Sequence, residues 1–352
     1  MNSQVVSPRP IASDSRPGRL WLKRIIIALL AVVLFAPLGG VVYQWLASAI
    51  DARRYPPPGQ RVDVGGYRLH LQTVGSGLPT VVLDAGLSDC SVNWCRILPE
   101  VAKFTRVCAY DRAGLGWSDA GPRPRSSEQI VRELHTLLTQ AGIPGPYVLV
   151  GHSFGGYNVR LFAQEYPGAV AGLVLLDSAH EDQAARMPAS LKRLQAQWPQ
   201  ALRAQNPWTS FGIVRLFYTS SNPKLPGSQQ PIDRALRSRS GYIATVLSEC
   251  ETFEQSAAQL KNAGPLPQVP LGVLTAGDLG KNPPPAIPPE DWTQWKAHWA
   301  QMQAELASRC SNSIHLILTN STHLIQLDQP DAVVEVIRNV VTRARAQSAV
   351  TR

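Results

Sequence analysis

The stretch YVLVGHSFGG, residues 147–156, constrains the fold of this chain more than any other segment. Four apolar residues in a row predict a buried strand of a parallel sheet, and apolar residues at helical spacing after Gly156 predict a helix. Between them lies Ser153, in the pattern Gly-x-Ser-x-Gly. A serine on a sharp strand-to-helix turn needs neighbours without clashing side chains, and Gly151 and Gly155 meet that need. The pattern predicts that Ser153 is a catalytic nucleophile.

Short apolar strands alternate with amphipathic helices over much of the chain. The clearest helix covers residues 126–141, with serines at its start and Gly142 at its end. This alternation predicts an α/β fold with a mostly parallel sheet covered by helices on both faces. The other strands are predicted at residues 67–74, 80–83, 105–110, 171–176, 271–275 and 314–319.

The alternation stops between about residues 181 and 268, where Arg- and Gln-rich helical segments replace the strands. An insertion at this point, between two core strands, predicts a helical lid. Its aromatic residues either line a substrate cleft or pack the lid onto the core. These residues are Trp198, Trp208, Phe211, Phe217 and Tyr218.

An uncharged apolar run near the N-terminus, residues 25–46, is long enough to cross a bilayer core of about 30 Å. The basic residues before it favour a cytoplasmic N-terminus, which predicts a single-pass anchor with the catalytic domain outside the cytoplasm. A signal peptide cleaved after Ala47, Ser48 and Ala49 is the alternative, and it predicts a secreted protein. The three prolines that follow, residues 56–58, mark a linker.

These observations divide the chain into seven segments. They are a basic cytoplasmic N-terminus (1–24), a transmembrane anchor (25–46), a Pro-rich linker (47–61), the first part of the core (62–180), a helical lid (181–268), the second part of the core (269–346) and a tail (347–352).

Composition excludes several classes of function. The formal net charge is +9, and the first 54 residues contribute +5 of it, so the remainder is only mildly basic and no nucleic-acid surface is predicted. The five cysteines show no metal-ligand spacing, although an exported domain could pair some of them. No metal or organic cofactor is predicted.

A serine hydroxyl needs a base, normally a histidine oriented by a carboxylate. His323 follows the last predicted strand, in a loop that could return an imidazole to Ser153. Two aspartates at strand ends compete as the acid that orients His323. Asp177 follows the strand at 171–176, and Asp278 follows the strand at 271–275, so both alternatives stay open.

An oxyanion hole requires backbone N–H groups aimed at the developing negative charge. One comes from the residue after the nucleophile and one from the loop after an early strand. In this chain they are the N–H groups of Phe154 and Leu87.

Several segments together resemble the α/β-hydrolase fold superfamily, of the lid-bearing type that includes esterases, lipases and proline iminopeptidases. Besides the serine turn, they are the strand ending in Asp84, Ala85 and Gly86, the run YDRAGLGWSD (residues 110–119) and the run THLIQLDQP (residues 322–330). The resemblance covers about residues 62–345 and implies an eight-stranded sheet.

The resemblance implies a serine hydrolase that acts on a small-molecule ester or a lipid-like substrate. A serine nucleophile argues against epoxide hydrolases and haloalkane dehalogenases, whose nucleophile is a carboxylate. The alternatives are an amide or peptide hydrolase of the proline iminopeptidase type, and a membrane-anchored binding or receptor module without turnover.

One residue departs from the family pattern. Relatives commonly carry a His-Gly pair before the oxyanion loop, where this chain has Asp84, Ala85 and Gly86. A free carboxylate at this place would oppose an oxyanion. We therefore expect loop N–H groups or Arg112 to neutralise Asp84.

Overall fold

A computed structural model describes residue 4 and residues 17–217, 221–280 and 282–350. Most of the predicted basic segment before residue 17, Tyr218 of the predicted lid and the last two residues of the tail lie outside these ranges. All statements below concern the described residues.

The core of the molecule is one eight-stranded sheet, which confirms the predicted fold class. The strands follow the order β1-β2-β4-β3-β5-β6-β7-β8. The pairs β1–β2 and β2–β4 are antiparallel, and every other pair is parallel. The strands are β1 (Gln60–Asp63), β2 (Arg68–Val74), β3 (Thr80–Asp84), β4 (Val107–Tyr110), β5 (Tyr147–His152), β6 (Val170–Leu176), β7 (Leu271–Ala276) and β8 (Ser313–Leu318).

Helices cover both faces of this sheet. The described helices are α1 (Pro17–Arg54), α2 (Leu98–Val101), α3 (Ser127–Gln140), α4 (Gly155–Glu165), α5 (Gln183–Arg186), α6 (Ala189–Gln205), α7 (Ile213–Phe217), α8 (Gln230–Arg237), α9 (Tyr242–Glu251), α10 (Phe253–Asn262), α11 (Pro289–Ala307), α12 (Ile325–Asp328) and α13 (Pro330–Val350).

The central strands are buried on both faces because their side chains alternate between two cores. Leu149 of β5 packs with helices α3 and α4 in one core, whereas its neighbours Val148 and Val150 pack with α2 and α13 in the other. This double burial explains the continuous apolar runs in the sequence. Because β5, β6, β7 and β8 are parallel, their carboxyl ends lie at the same edge of the sheet.

The structure differs from the predicted linker, residues 47–61. Helix α1 continues through Arg54, well beyond the apolar run, and strand β1 already begins at Gln60. Strand β1 is short, carries charges and lies at the edge of the sheet, so it shows neither the apolar run nor the alternation that identified the other strands. The irregular segment is therefore only residues 55–59.

Helices α5–α10 lie between β6 and β7, and we call residues 183–262 the lid segment. None of its described residues forms a strand. Helix α1 packs on this segment through the 3-10 helix Asn206–Phe211. Among the described residues, α1 alone is long and apolar enough to cross a membrane, and none of its most apolar window is buried.

Candidate active site

Ser153 lies on the turn between β5 and α4 with a φ of 51°, a backbone conformation that is strained for a residue with a side chain. The two flanking glycines make this turn possible. A Cβ atom at Gly151 would lie 2.6 Å from the Gly155 carbonyl oxygen, and one at Gly155 would lie 2.4 Å from the Asp84 carbonyl oxygen. Only glycine fits at either position, so the sequence pattern follows from the crowding of this turn.

His323 lies in the loop between β8 and α12, where its imidazole faces the end of β6. Its Nδ1 is 2.6 Å from Oδ2 of Asp177, and its side chain keeps 44% of its surface accessible. Because Nδ1 is engaged by the carboxylate, Nε2 is the nitrogen left for proton transfer. Within the described residues, the Ser153 hydroxyl has no hydrogen bond, an arrangement common in enzymes without substrate.

Asp177 is completely buried and has a positive φ of 40°. Its Oδ1 accepts hydrogen bonds from Nε1 of Trp299 at 2.8 Å and from the N–H of Ala276 at 3.0 Å. These bonds leave Oδ2 directed at His323. The sequence did not point to Trp299 as a partner, since it lies 122 residues away on α11.

Asp278, the other predicted acid, lies after β7 and does not contact His323. Its Oδ1 instead accepts a hydrogen bond from the N–H of Gly280 at 3.0 Å, which closes a local turn. The structure therefore brings Asp177, and not Asp278, to the imidazole.

The pKa of His323 results from two opposing effects. Partial burial of the imidazole lowers its pKa, but the hydrogen bond and the negative charge of Asp177 outweigh this effect, so the pKa is raised above 6.5. The pair is thus arranged to stabilise an imidazolium, which is the state of a histidine that has accepted a proton.

The two predicted oxyanion donors lie on the loops next to Ser153. Phe154 is the residue before the first turn of α4, and Leu87 follows β3. Neither N–H has an acceptor among the described residues. The N-terminus of α4 adds the positive end of a helix dipole beside these groups.

His152 lies between the loops of the site, a position that the sequence reading did not identify. Its Nε2 donates to the His323 carbonyl at 2.8 Å, and its Nδ1 is 3.4 Å from Nε2 of Gln326. Burial lowers the pKa of His152 to about 3, so the ring is neutral and can donate at one nitrogen and accept at the other. His152 therefore helps to fix the backbone of His323.

Arg112 neutralises Asp84, as we expected from the sequence. Its Nη1 donates to Oδ1 of Asp84 at 2.8 Å and to the Ala85 carbonyl at 2.7 Å, and its Nη2 donates to the Gly86 carbonyl at 2.8 Å. Burial raises the pKa of Asp84, an effect that the charge of Arg112 opposes. The guanidinium thus holds the backbone immediately before Leu87.

The same guanidinium is also bonded to the lid segment. Its Nε lies 2.7 Å from Oε1 of Glu249 on α9, and Nη2 lies 3.1 Å from Oε2. Oε2 of Glu249 also accepts a hydrogen bond from the N–H of Ser88 at 3.3 Å. We call residues 85–88, the loop after β3 that carries Leu87, the oxyanion loop. Arg112 and Glu249 therefore connect this loop to the lid segment, although 137 residues separate them in sequence.

The described residues contain no cluster of three or more His, Cys, Asp or Glu side chains suited to a metal ion. All five cysteines are free thiols, and burial raises the pKa of each.

Comparisons with known proteins agree with the fold of this chain. Residues 79–219 match a family model described as the alpha/beta hydrolase fold. The uncharacterized protein YbdG of Bacillus subtilis is 23% identical over 339 residues, covering 93% of this chain and 99% of that protein. Matches to several other curated relatives span less than half of those proteins.

Many solved structures share the fold, and two serve as examples. The enol-lactonase from Burkholderia xenovorans LB400 superposes with a TM-score of 0.58 at 20% identity, covering 80% of this chain and all of that one. A thermophilic esterase from Thermogutta terrifontis, solved with malate bound, gives a TM-score of 0.54 at 22% identity, covering 81% of this chain and 99% of that one. At these identities the likeness concerns the fold.

Proposed function

Since the chain has the α/β-hydrolase fold, we propose that it is a serine hydrolase that cleaves carboxylic esters through an acyl-serine intermediate. The observation that carries this proposal is the 2.6 Å contact between His323 and Asp177 at the same sheet edge as the strained Ser153. A nucleophile, a base and an acid in this arrangement support acyl transfer.

In the proposed reaction, the Ser153 oxygen bonds to the ester carbonyl carbon while Nε2 of His323 takes the hydroxyl proton. The carbon–alkoxide bond then breaks, and the proton passes from Nε2 to the leaving alcohol. A water molecule repeats the sequence on the acyl-serine and releases the carboxylic acid. Asp177 keeps Nδ1 protonated and stabilises the imidazolium throughout.

The N–H groups of Leu87 and Phe154 would bind the oxyanion of each tetrahedral intermediate. Such donors act strongly because they are already in place before the charge develops, and each is typically worth about 3 kcal/mol of barrier. The bonds from Arg112 to the carbonyls of Ala85 and Gly86 support this role for Leu87, since they fix the preceding backbone.

Two considerations favour esters over amides as substrates. One of the similar structures is described as an esterase and another as an enol-lactonase, and a lactone is a cyclic ester. An alkoxide also leaves a tetrahedral intermediate more readily than an amide nitrogen does. Ester cleavage therefore depends less on protonation of the leaving group by His323.

We further propose that α1 is a retained single-pass anchor and that the catalytic domain lies outside the cytoplasm. The basic residues before the apolar run support this orientation. Retention is supported by Gln44 of α1, which is 3% exposed and donates to the Ser238 carbonyl of the lid segment at 2.9 Å. Cleavage after Ala49 would remove this contact.

Labelling with a fluorophosphonate probe tests the catalytic proposal. The full chain should react, and Ser153→Ala should not, because the probe bonds only to an activated serine. Ser308→Ala is a suitable control, since that serine is exposed at the end of α11 and should not affect labelling. A folded wild-type protein that stays unlabelled would instead favour the binding module without turnover.

A further inference from the structure

The lid segment exposes an apolar surface directly beside helix α1. In the stretch NPWTSFGIVRLF, residues 206–217, no residue is acidic and several large apolar side chains face outward. Helix α7 within it has no buried residue. The exposed fractions are 51% for Trp208, 37% for Ile213, 58% for Leu216 and 79% for Phe217. A cluster of exposed apolar side chains is typical of a surface that binds another protein or a membrane.

Close backbone packing fixes the position of this surface along α1. A Cβ atom at Gly40 would lie 2.4 Å from the Phe211 carbonyl oxygen, and one at Gly212 would lie 2.6 Å from the Tyr43 ring. The backbone of α1 at Gly40 therefore meets the backbone of the lid segment directly, and the Tyr43 ring packs on Gly212. This contact sets residues 206–217 level with Gly40 and Tyr43.

Partly buried polar contacts hold the same register over the next two turns of α1. Nε of Arg215 donates to Oε1 of Gln44 at 3.1 Å, and its Nη1 lies 2.5 Å from Oδ2 of Asp51. Arg215 thus points toward α1, while its neighbours Leu216 and Phe217 point away from the protein. The charged residue of α7 therefore contacts α1, whereas Leu216 and Phe217 are exposed on the other side of the helix.

This register determines the depth of the apolar surface in a membrane. The predicted membrane span ends at Leu46, and the next charged residue is Asp51. Gly40 and Tyr43 therefore lie in the last two turns of the predicted span, within about 10 Å of its end at a rise of about 1.5 Å per residue. Trp45 and Leu46, which are 68% and 48% exposed, continue the surface on the helix itself. Aromatic and aliphatic side chains at this depth are typical of the membrane interface.

We propose that residues 206–217 form a second membrane-contacting element, whose Trp208, Ile213, Leu216 and Phe217 insert among the lipids beside α1. The occupant of this surface is the bilayer because the surface is continuous with the spanning helix and carries no acidic group. The inference rests on the proposed role of α1 as an anchor. It does not depend on the chemistry of Ser153.

Val214 connects this surface to the catalytic centre. Its side chain packs against the buried cluster that contains Leu115, Ile243 and Val246, and Leu87 of the oxyanion loop packs against the same cluster. The proposed membrane-contacting element and the loop that carries Leu87 therefore pack against one shared cluster of buried side chains.

Site-specific photo-crosslinking in the full chain tests the inference. A benzophenone amino acid replaces Leu216 or, as a second site, Trp208, and the protein is reconstituted in vesicles of phosphatidylcholine and phosphatidylglycerol. Ile317 is the matched control, because it is 59% exposed and lies on β8, at the sheet edge opposite β1. We expect at least about tenfold more lipid adduct at either lid position than at Ile317.

A third crosslinking site, on α1, tests the proposed anchor independently of the proposed lipid contact of the lid segment. Leu30, which is 55% exposed on α1, should form lipid adducts if the helix spans the bilayer. Adducts at Leu30 without adducts at Leu216 and Trp208 would overturn the lid inference and leave the anchor standing. Failure at all three sites would overturn both. Crosslinks from Leu216 to a second copy of the chain would assign the surface to dimerisation instead of lipid.

Discussion

The carboxyl group of Asp177 is held on both oxygens, by Trp299 and Ala276 on one side and by His323 on the other. We expect Asp177→Asn to lower kcat for a short-chain p-nitrophenyl ester by about 10³- to 10⁴-fold, because the amide can no longer orient and stabilise the imidazolium. Asp278→Asn, the matched control at the neighbouring strand end, should stay within about twofold of wild type. The reverse result would assign the acid to Asp278.

The pH dependence of the reaction follows from the raised pKa of His323. The imidazole must be neutral to accept the Ser153 proton, so kcat/KM should fall as the pH decreases through a pKa that lies above 6.5. The hydrogen bond and the negative charge of Asp177 cause the raised pKa of His323. In Asp177→Asn, the residual activity should therefore persist to lower pH, and a pH–rate profile that keeps the same acid limb would contradict this explanation.

The individual residues of the site were predictable to different extents. Ser153 and His323 lie in local patterns, a glycine-flanked turn and a loop after the last strand, which are visible in the sequence. The partner of His323 was not, because Asp177 and Asp278 both follow core strands and differ only in what surrounds them. His152 was also missed, since its bond to the His323 carbonyl joins residues 171 positions apart.

At the scale of secondary structure, strands buried on both faces were predictable from their apolar runs. Strand β1 was not, because four residues at a sheet edge carry no such signal. The lid segment was recognisable as helical, but its packing depends on pairs such as Arg112 and Glu249, which only the folded chain brings together. An apolar pattern in the sequence indicates which residues of a strand or helix are buried. It does not indicate which strands and helices contact each other.

The buried pair of Arg112 and Glu249 also makes a prediction about stability. Arg112 is 2% exposed, and Asp84 and Glu249 are fully buried, so Arg112→Met leaves two carboxylates uncompensated. We expect a loss of about 3–5 kcal/mol in the free energy of unfolding, seen as a lower Tm by tryptophan fluorescence in detergent.

Two further variants identify the cause of that loss. Adding Asp84→Asn and Glu249→Gln to Arg112→Met should recover much of the stability, because no buried charge then remains in the cluster. Arg132→Met removes an exposed pair with Glu128 on α3 and should change the stability by less than about 1 kcal/mol. Equal effects of Arg112→Met and Arg132→Met would contradict the role given to the buried cluster.

At the scale of the whole molecule, α1 is joined to the catalytic domain by more than a linker. Its last turns pack on the lid segment, and residues 55–59 lead directly into β1. The lid segment is in turn joined to the oxyanion loop through Glu249 and Arg112. The proposed anchor, the lid segment and the proposed catalytic centre thus form one connected structure, in which the anchor would orient the domain at a membrane.

This connection predicts that α1 is retained in the mature protein. Ala47, Ser48 and Ala49, which resemble a signal-peptide cleavage site, lie within α1 just after Gln44, which donates to the Ser238 carbonyl of the lid segment. We therefore expect wild type and Ala49→Leu to fractionate alike, as full-length protein that resists carbonate extraction from membranes. The measurement is an immunoblot with tags at both termini. A soluble wild-type fragment that begins at Ile50, and that Ala49→Leu converts to membrane-bound full-length protein, would instead identify a cleaved signal peptide.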